Sequence, residues 1–131
     1  MTTSTLFGIA LAPLFAAIAQ IESENGRTSE NVYQLSAQYV ADVNRIAALT
    51  NQNVAFADSD VRDRAKAEQM MCIYLSFYGA RYLRQTGKTP TLETLARIHN
   101  GGPNGWKAYS TKRFMRRILA VLDAAEEGGA E

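Results

Sequence analysis

Two separated strings hold the residue types and spacing from which bond-breaking chemistry can be built. Ile21-Glu22-Ser23 places one carboxyl at the end of an apolar run. Ala96-Arg97-Ile98-His99-Asn100-Gly101-Gly102-Pro103-Asn104-Gly105-Trp106 sets polar side chains beside a glycine-rich turn. A carboxylic acid among apolar neighbours keeps its proton, because burial disfavours the charged form. Ala16, Ala17, Ile18, Ala19 and Ile21 supply such neighbours. A helix C-terminus disfavours the anion further. Glycines admit positive φ and let backbone approach a ligand closely. A proton donor facing a polar, glycine-lined wall suits glycosidic cleavage, in which an acid protonates the leaving oxygen.

The neighbouring side chains extend this pattern. Gln34 offers both donor and acceptor, as sugar hydroxyls and amides require; a satisfied core amide reads equally well. Tyr33 and Trp106 are expected at the cleft, where the C–H faces of sugars stack on rings, and Tyr39 in the core. His99 is the only histidine, and no partner ligands surround it at metal-binding spacing, so no metal is expected. Asn100 and the Gly101-Gly102 backbone either contact a polymer or only cap and turn a helix. Glycoside hydrolysis normally uses two carboxyls. Glu24, two positions after Glu22, points to another helix face. Glu30, in the loop, is the candidate second catalytic group, with Thr28 and Ser29 near it to orient water. Asp42 and Arg45 read as a structural i,i+3 pair. Phosphate-loop, dinucleotide, zinc and nucleophile-elbow patterns do not occur, so no cofactor is expected.

Taken together, these strings resemble the lysozyme superfamily. "ARIHNGGPNG" is similar to the His-Asn-Gly-Gly-Pro segment of invertebrate-type (destabilase) lysozymes and to the Tyr-Asn-Ala-Gly-Pro segment of Slt-type lytic transglycosylases. "IES" is similar to the Glu-Ser motif that holds the catalytic acid in both. Tyr33-Gln34-Leu35 followed by Tyr39-Val40-Ala41-Asp42 is similar to a Tyr/Phe-Gln-Ile…Tyr-Trp-x-Asp segment of the lysozymes. Acid, glutamine and Asn-Gly-Gly keep their order, from about residue 18 to residue 109. The resemblance implies Glu22 as general acid and Gln34, His99 and Asn100 as substrate contacts. The invertebrate enzymes carry an aspartate on a hairpin between acid and glutamine; no aspartate lies between Glu22 and Gln34 here. If Glu30 does not serve, a single-acid mechanism assisted by the substrate's own N-acetyl group is implied, as in the transglycosylases.

These residues need elements to position them. The 131 residues are expected to form one domain, 1–131, with a true hydrophobic core. A hydrophobic content of 47% and charged content of 21% fit a globular chain. Leu6 to Ile21 reads as a core helix with Pro13 in its first turn, ending near Asn25-Gly26. The rival reading is a releasable signal-anchor, although no Lys or Arg precedes Arg27. Further helices are predicted from a Ser36 cap through Ala48, from an Asp58 or Ser59 cap to Thr86, from Thr91 to Ile98 after a Thr89-Pro90 start, and from Ser110 to Ala125. The fold class is therefore all-α or predominantly α: a lysozyme-like fold around one long central helix, with at most a reduced β-hairpin in residues 26–35.

A net charge of +1 argues against a general nucleic-acid binder. Lys107, Lys112, Arg113, Arg116 and Arg117 nevertheless crowd one stretch. It reads equally as a surface for an anionic polymer and as a solvated helix face. Cys72 is the only cysteine, so no intrachain disulfide forms, unlike the invertebrate enzymes. That suits folding in a reducing cytoplasm. The resemblance implies a monomeric muramidase acting on peptidoglycan glycan strands, made in the bacterial cytoplasm in the manner of a phage endolysin, without stable membrane insertion. A lytic transglycosylase and a non-catalytic wall-binding protein of the same fold are the alternatives.

Overall fold

A computed structural model describes residues 4–24 and 30–129 of the chain, the last two by backbone alone. It is mostly helical. The described residues begin with a two-stranded antiparallel hairpin, β1 (Thr5–Leu6) and β2 (Ile9–Ala10), with Thr5 opposite Ala10 and Leu6 opposite Ile9. Phe7 and Gly8 turn it, both with positive φ (53° and 78°), as a two-residue hairpin requires. The hairpin is thus at residues 5–10. Residues 30–35 form a bend and turn without strand, and 25–29 lie outside the described residues, as does the Asn25-Gly26 helix end. The apolar run from Leu6 also divides. Its first residues pair as strands, and only Leu11–Glu24 is helix α1. The Phe7 ring packs where a side chain at Gly79 would stand.

Helix α2 (Ala37–Leu49) starts where Ser36 accepts a hydrogen bond from the Tyr39 amide at 3.1 Å, satisfying an orphan N–H of the first turn. A 3₁₀ turn at Asp58–Arg62 then precedes helix α3 (Arg64–Thr86). The predicted Asp58 or Ser59 cap gives way to Asp63, which accepts from the Lys66 amide at 3.1 Å. Helix α3 ends at Gly87 in the left-handed conformation (φ 73°). Helix α4 (Leu92–Gly101) is capped by Thr91, whose side chain and that of Thr94 reach each other's amides. Thr89-Pro90 precedes this cap rather than forming it. The helix also continues three residues past Ile98, so His99 and Asn100 lie in its last turn. Short 3₁₀ turns at Gly105–Lys107 and Tyr109–Thr111 lead into helix α5 (Lys112–Gly129).

Leu11, Leu14, Ile18, Ile21, Val43, Ile46, Met70, Met71, Leu75, Leu95, Ile98 and Ile118 are essentially inaccessible to solvent and form one core. Burial of each such side chain contributes about 1.5–3 kcal/mol. The long helix α3 packs mainly on α2 and α4, while α5 packs on α1 and α4. The ten-residue helix α4 therefore bridges both pairs, and its last turn carries the polar motif. Leu83, near the end of α3, is 38% exposed.

Candidate functional site

A groove of about 700 Å³ opens between α2, α3 and the end of α4. Gln34, Leu35 and Ser36 form one margin, with Gln38, Tyr39, Ala41, Asp42 and Arg45 from α2. Tyr74 and Tyr78 come from α3, and His99, Asn100, Gly102 and Pro103 close the other side. Segments far apart in sequence meet here because α4 packs on α3 beside α2.

The groove has an aromatic side. Tyr39 stacks on Tyr74 with centroids 4.1 Å apart, and Tyr78 meets Tyr74 edge-on at 4.8 Å. Tyr39 also meets His99 at 5.7 Å. Apolar ring surface with polar groups at its margins suits a sugar, which has both kinds of face. The Tyr39 hydroxyl and His99 Nδ1 are buried without a hydrogen-bond partner among the described residues. Burial holds the Tyr39 phenol well above its usual range and pushes the His99 imidazole down to about 4. His99 is therefore neutral near pH 7, able to donate from one ring nitrogen and accept at the other.

Polar contacts order the rim. Asp42 accepts from the Tyr78 hydroxyl at 2.5 Å and from Arg45 at 2.7 and 2.9 Å. Arg45 also donates to the Tyr78 oxygen at 3.0 Å. The i,i+3 pair expected within α2 is present, and Tyr78 ties it to α3. Gln34 sits at positive φ (54°), its side-chain amide donating to the Asn31 carbonyl at 2.7 Å. A non-glycine residue in that region is strained, and such strain concentrates at ligand sites. Gly102 has φ 87°, a conformation that side chains resist, with little else near where a Cβ would stand.

The other candidates are distributed differently. Glu22 is half-buried in the last turn of α1 and is not among the groove-lining residues. The segment after it, with Thr28 and Ser29, lies outside the described residues. Its neighbour Glu24 reaches Arg117 on α5 at 3.4 Å. Glu30 lines a second concavity of about 530 Å³ with Asn31, Asp58, Ser59, Val61 and Arg62. Tyr33 is 1% exposed; its ring meets Phe15 edge-on, while its hydroxyl bonds Glu68 and accepts from Arg64 at 3.1 Å. The structure thus places Tyr33 in the core, because α3 supplies two polar partners for its hydroxyl. Trp106, expected at the cleft, does not line the groove; it meets Tyr82 edge-on at 5.0 Å, with its indole N–H buried and unpartnered among the described residues. Gly101 faces Thr111, whose methyl would lie 2.5 Å from an added Cβ. Tyr39, expected in the core, lines the groove through its stack on Tyr74, and Tyr74, Tyr78 and Asp42 are among the groove residues that sequence reasoning did not assign to a cleft. The i,i+4 spacing of Tyr74 and Tyr78 was a visible signal, but their partners lie on another helix.

Burial also pushes the Cys72 thiol up, away from the reactive thiolate. Among the described residues, no helix is long and apolar enough to cross a membrane.

Over 43 residues, the chain is 46% identical to Lysozyme 1 of Crassostrea virginica. The match covers 33% of this chain and 23% of that protein. The chain therefore aligns with under a quarter of the relative's length. No protein-family model matches the chain, and no solved structure matches it. The similarity to a lysozyme is confined to that stretch, and the fold that carries it is predominantly helical.

Proposed function

We propose that the protein is a muramidase, cleaving the β-1,4 bond between N-acetylmuramic acid and N-acetylglucosamine in peptidoglycan. The observation that carries this reading is the shared groove of Gln34 with His99, Asn100 and Gly102. These residues belong to two motifs from distant parts of the chain, and the similarity to Lysozyme 1 of Crassostrea virginica points the same way. Gln34 and Asn100 exchange hydrogen bonds with sugar hydroxyls and acetamido groups. Neutral His99 adds a polar contact without a charge. The Gly102 backbone lies against the chain, and Tyr39 and Tyr74 form the apolar side. Glu22 is the general acid that the motif resemblance implies; it lies in the last turn of α1 outside the groove lining, so a glycan held in the groove has to extend past its margin to reach that carboxyl. The lone Cys72 fits an enzyme made in a reducing cytoplasm and released to the wall.

Mass spectrometry of digested sacculi tests the proposal. Soluble muropeptides with free reducing ends are expected. Anhydro-muropeptides would replace hydrolysis by internal transfer, the chemistry of a lytic transglycosylase. Sacculi that release no soluble fragment would overturn the enzyme reading and leave a wall-binding protein.

A further inference from the structure

The last third of the chain carries a charge pattern that neither the core nor the groove uses. No acidic residue occurs between Glu93 and Asp123, while five cations fall within residues 107–117. Helix α5 is charged against its own dipole. Lys112, Arg113, Arg116 and Arg117 occupy its first two turns, and Asp123, Glu126 and Glu127 lie toward its end. A helix N-terminus favours anions and disfavours cations. Lys112 and Arg116 also stand four residues apart, as do Arg113 and Arg117, a spacing at which like charges repel. Within the helix itself this order is unfavourable, so its use lies outside the helix.

The surroundings leave the cations facing outward. Phe114, Ile118, Val121 and Leu122 account for the face of α5 that packs on the core. Arg117 reaches Glu24. Lys112, Arg113 and Arg116 are exposed and form no ion pair among the described residues. Tyr109 beside them is 81% exposed, with the Lys112 ammonium 5.2 Å from its ring centre. The chain also links this stretch to the groove. Gly102 and Pro103 line the groove, and two 3₁₀ turns carry the chain from there into α5.

We propose that Tyr109 and the exposed cations Lys112, Arg113 and Arg116 form a second binding surface for the anionic oxygens, carboxylate or phosphate, borne by cell-wall polymer whose glycan occupies the groove. The choice of polymer rests on the muramidase reading. The charge layout favours a branched wall polymer over a nucleic acid. The cationic surface is short, and the acidic end of α5 would repel a uniformly charged duplex laid along the helix. Anionic branches leaving a neutral glycan meet the cations alone.

The test is the triple reversal K112E/R113E/R116E in the full chain. Its melting temperature should be unchanged or higher, because the new acids suit the helix N-terminus. Cosedimentation with purified sacculi at low salt should weaken about tenfold or more, as expected for loss of a focused charge surface. The difference should vanish at high salt, where the surface is screened. Affinity for neutral chitooligosaccharides should be unchanged. Persistence of the effect on sacculi stripped of phosphate polymer by hydrofluoric acid assigns peptide carboxylates. Its loss on stripped sacculi assigns phosphodiesters, and either result sustains the proposal. Equal binding of both proteins to intact sacculi at low salt overturns it. An effect seen only on a short DNA duplex also overturns it and assigns the surface to nucleic acid. Sedimentation needs no turnover, so an inactive wild-type protein would count against the muramidase reading without deciding this one.

Discussion

Three side chains carry different kinds of consequence at the scale of the residue. Glu22→Gln keeps shape and removes the proton donor, so turnover on sacculi should fall by roughly 10²-fold or more, with the fold intact. Wild-type clearing by this variant would remove Glu22 from the mechanism. Gln34 holds a strained backbone at the groove margin (φ 54°). Gln34→Gly relieves a strain of about 1–2 kcal/mol and loses the bond to Asn31, so stability should change little while chitooligosaccharide affinity drops. A large stability loss with intact affinity would make Gln34 a structural residue.

His99 links the groove to pH. Burial lowers its folded pKa to about 4, against roughly 6.5 when unfolded. Between these values the unfolded chain binds more protons than the folded one. Stability from neutral His99 is therefore full above about pH 6.5 and is lost as pH falls toward 4. Urea unfolding at pH 7 and pH 4.5 should show the wild type losing about 2 kcal/mol more than His99→Gln. Parallel losses in both proteins would mean that the imidazole is hydrated when folded.

At the scale of the element, the end of α4 is held by a clasp. Thr111 is 1% exposed; its hydroxyl accepts from Arg97 at 2.8 Å and lies 2.7 Å from the Gly105 carbonyl. Arg97 also donates to the Ala108 carbonyl at 2.8 Å. Gly105 is obligatory there, since an added Cβ would stand 2.1 Å from the Arg97 carbonyl oxygen. Thr111→Val keeps the volume but strands these groups, so equilibrium unfolding should show about 1–3 kcal/mol of destabilisation. A neutral result would mean that water replaces the hydroxyl.

What the sequence disclosed about elements follows from how local their causes are. Ser36, Gly87 and the long apolar periodicity act within one turn of themselves, so those helix boundaries were legible. Asp58, Ser59 and Asp63 are three plausible caps in six positions, and only tertiary packing chooses Asp63. The Phe7-Gly8 turn was hidden in an apolar run, because its reason is the seat that Gly79 leaves for the Phe7 ring. The same limit applies to the groove. Gln34, His99 and Asn100 were legible as motif members. Tyr33 was misplaced because its polar partners, Glu68 and Arg64, lie a helix away.

At the scale of the whole molecule, the candidate carboxyls are dispersed, and Glu22 lines neither of two concavities. One holds Gln34, Asp42, His99 and Asn100; the other holds Glu30 with Asp58 and Arg62. A second catalytic carboxyl has to flank the scissile bond within several ångströms of the first. Glu30 is exposed and lines the concavity without the sugar-binding candidates. Asp42 lines the groove, but Tyr78 and Arg45 occupy both of its oxygens. Neither Glu22 nor Glu30 lines the groove, so a single-acid mechanism using the substrate's own acetamido group rests on the motif resemblance for Glu22 and not on this arrangement. Glu30→Gln should then lower turnover less than about tenfold, the effect of disturbed positioning alone. Steady-state rates on soluble peptidoglycan fragments for Glu30→Gln, Glu22→Gln and the wild type decide the matter. A Glu30→Gln loss as deep as that of Glu22→Gln would restore the two-carboxylate mechanism. It would also require the two concavities to join around a bound glycan.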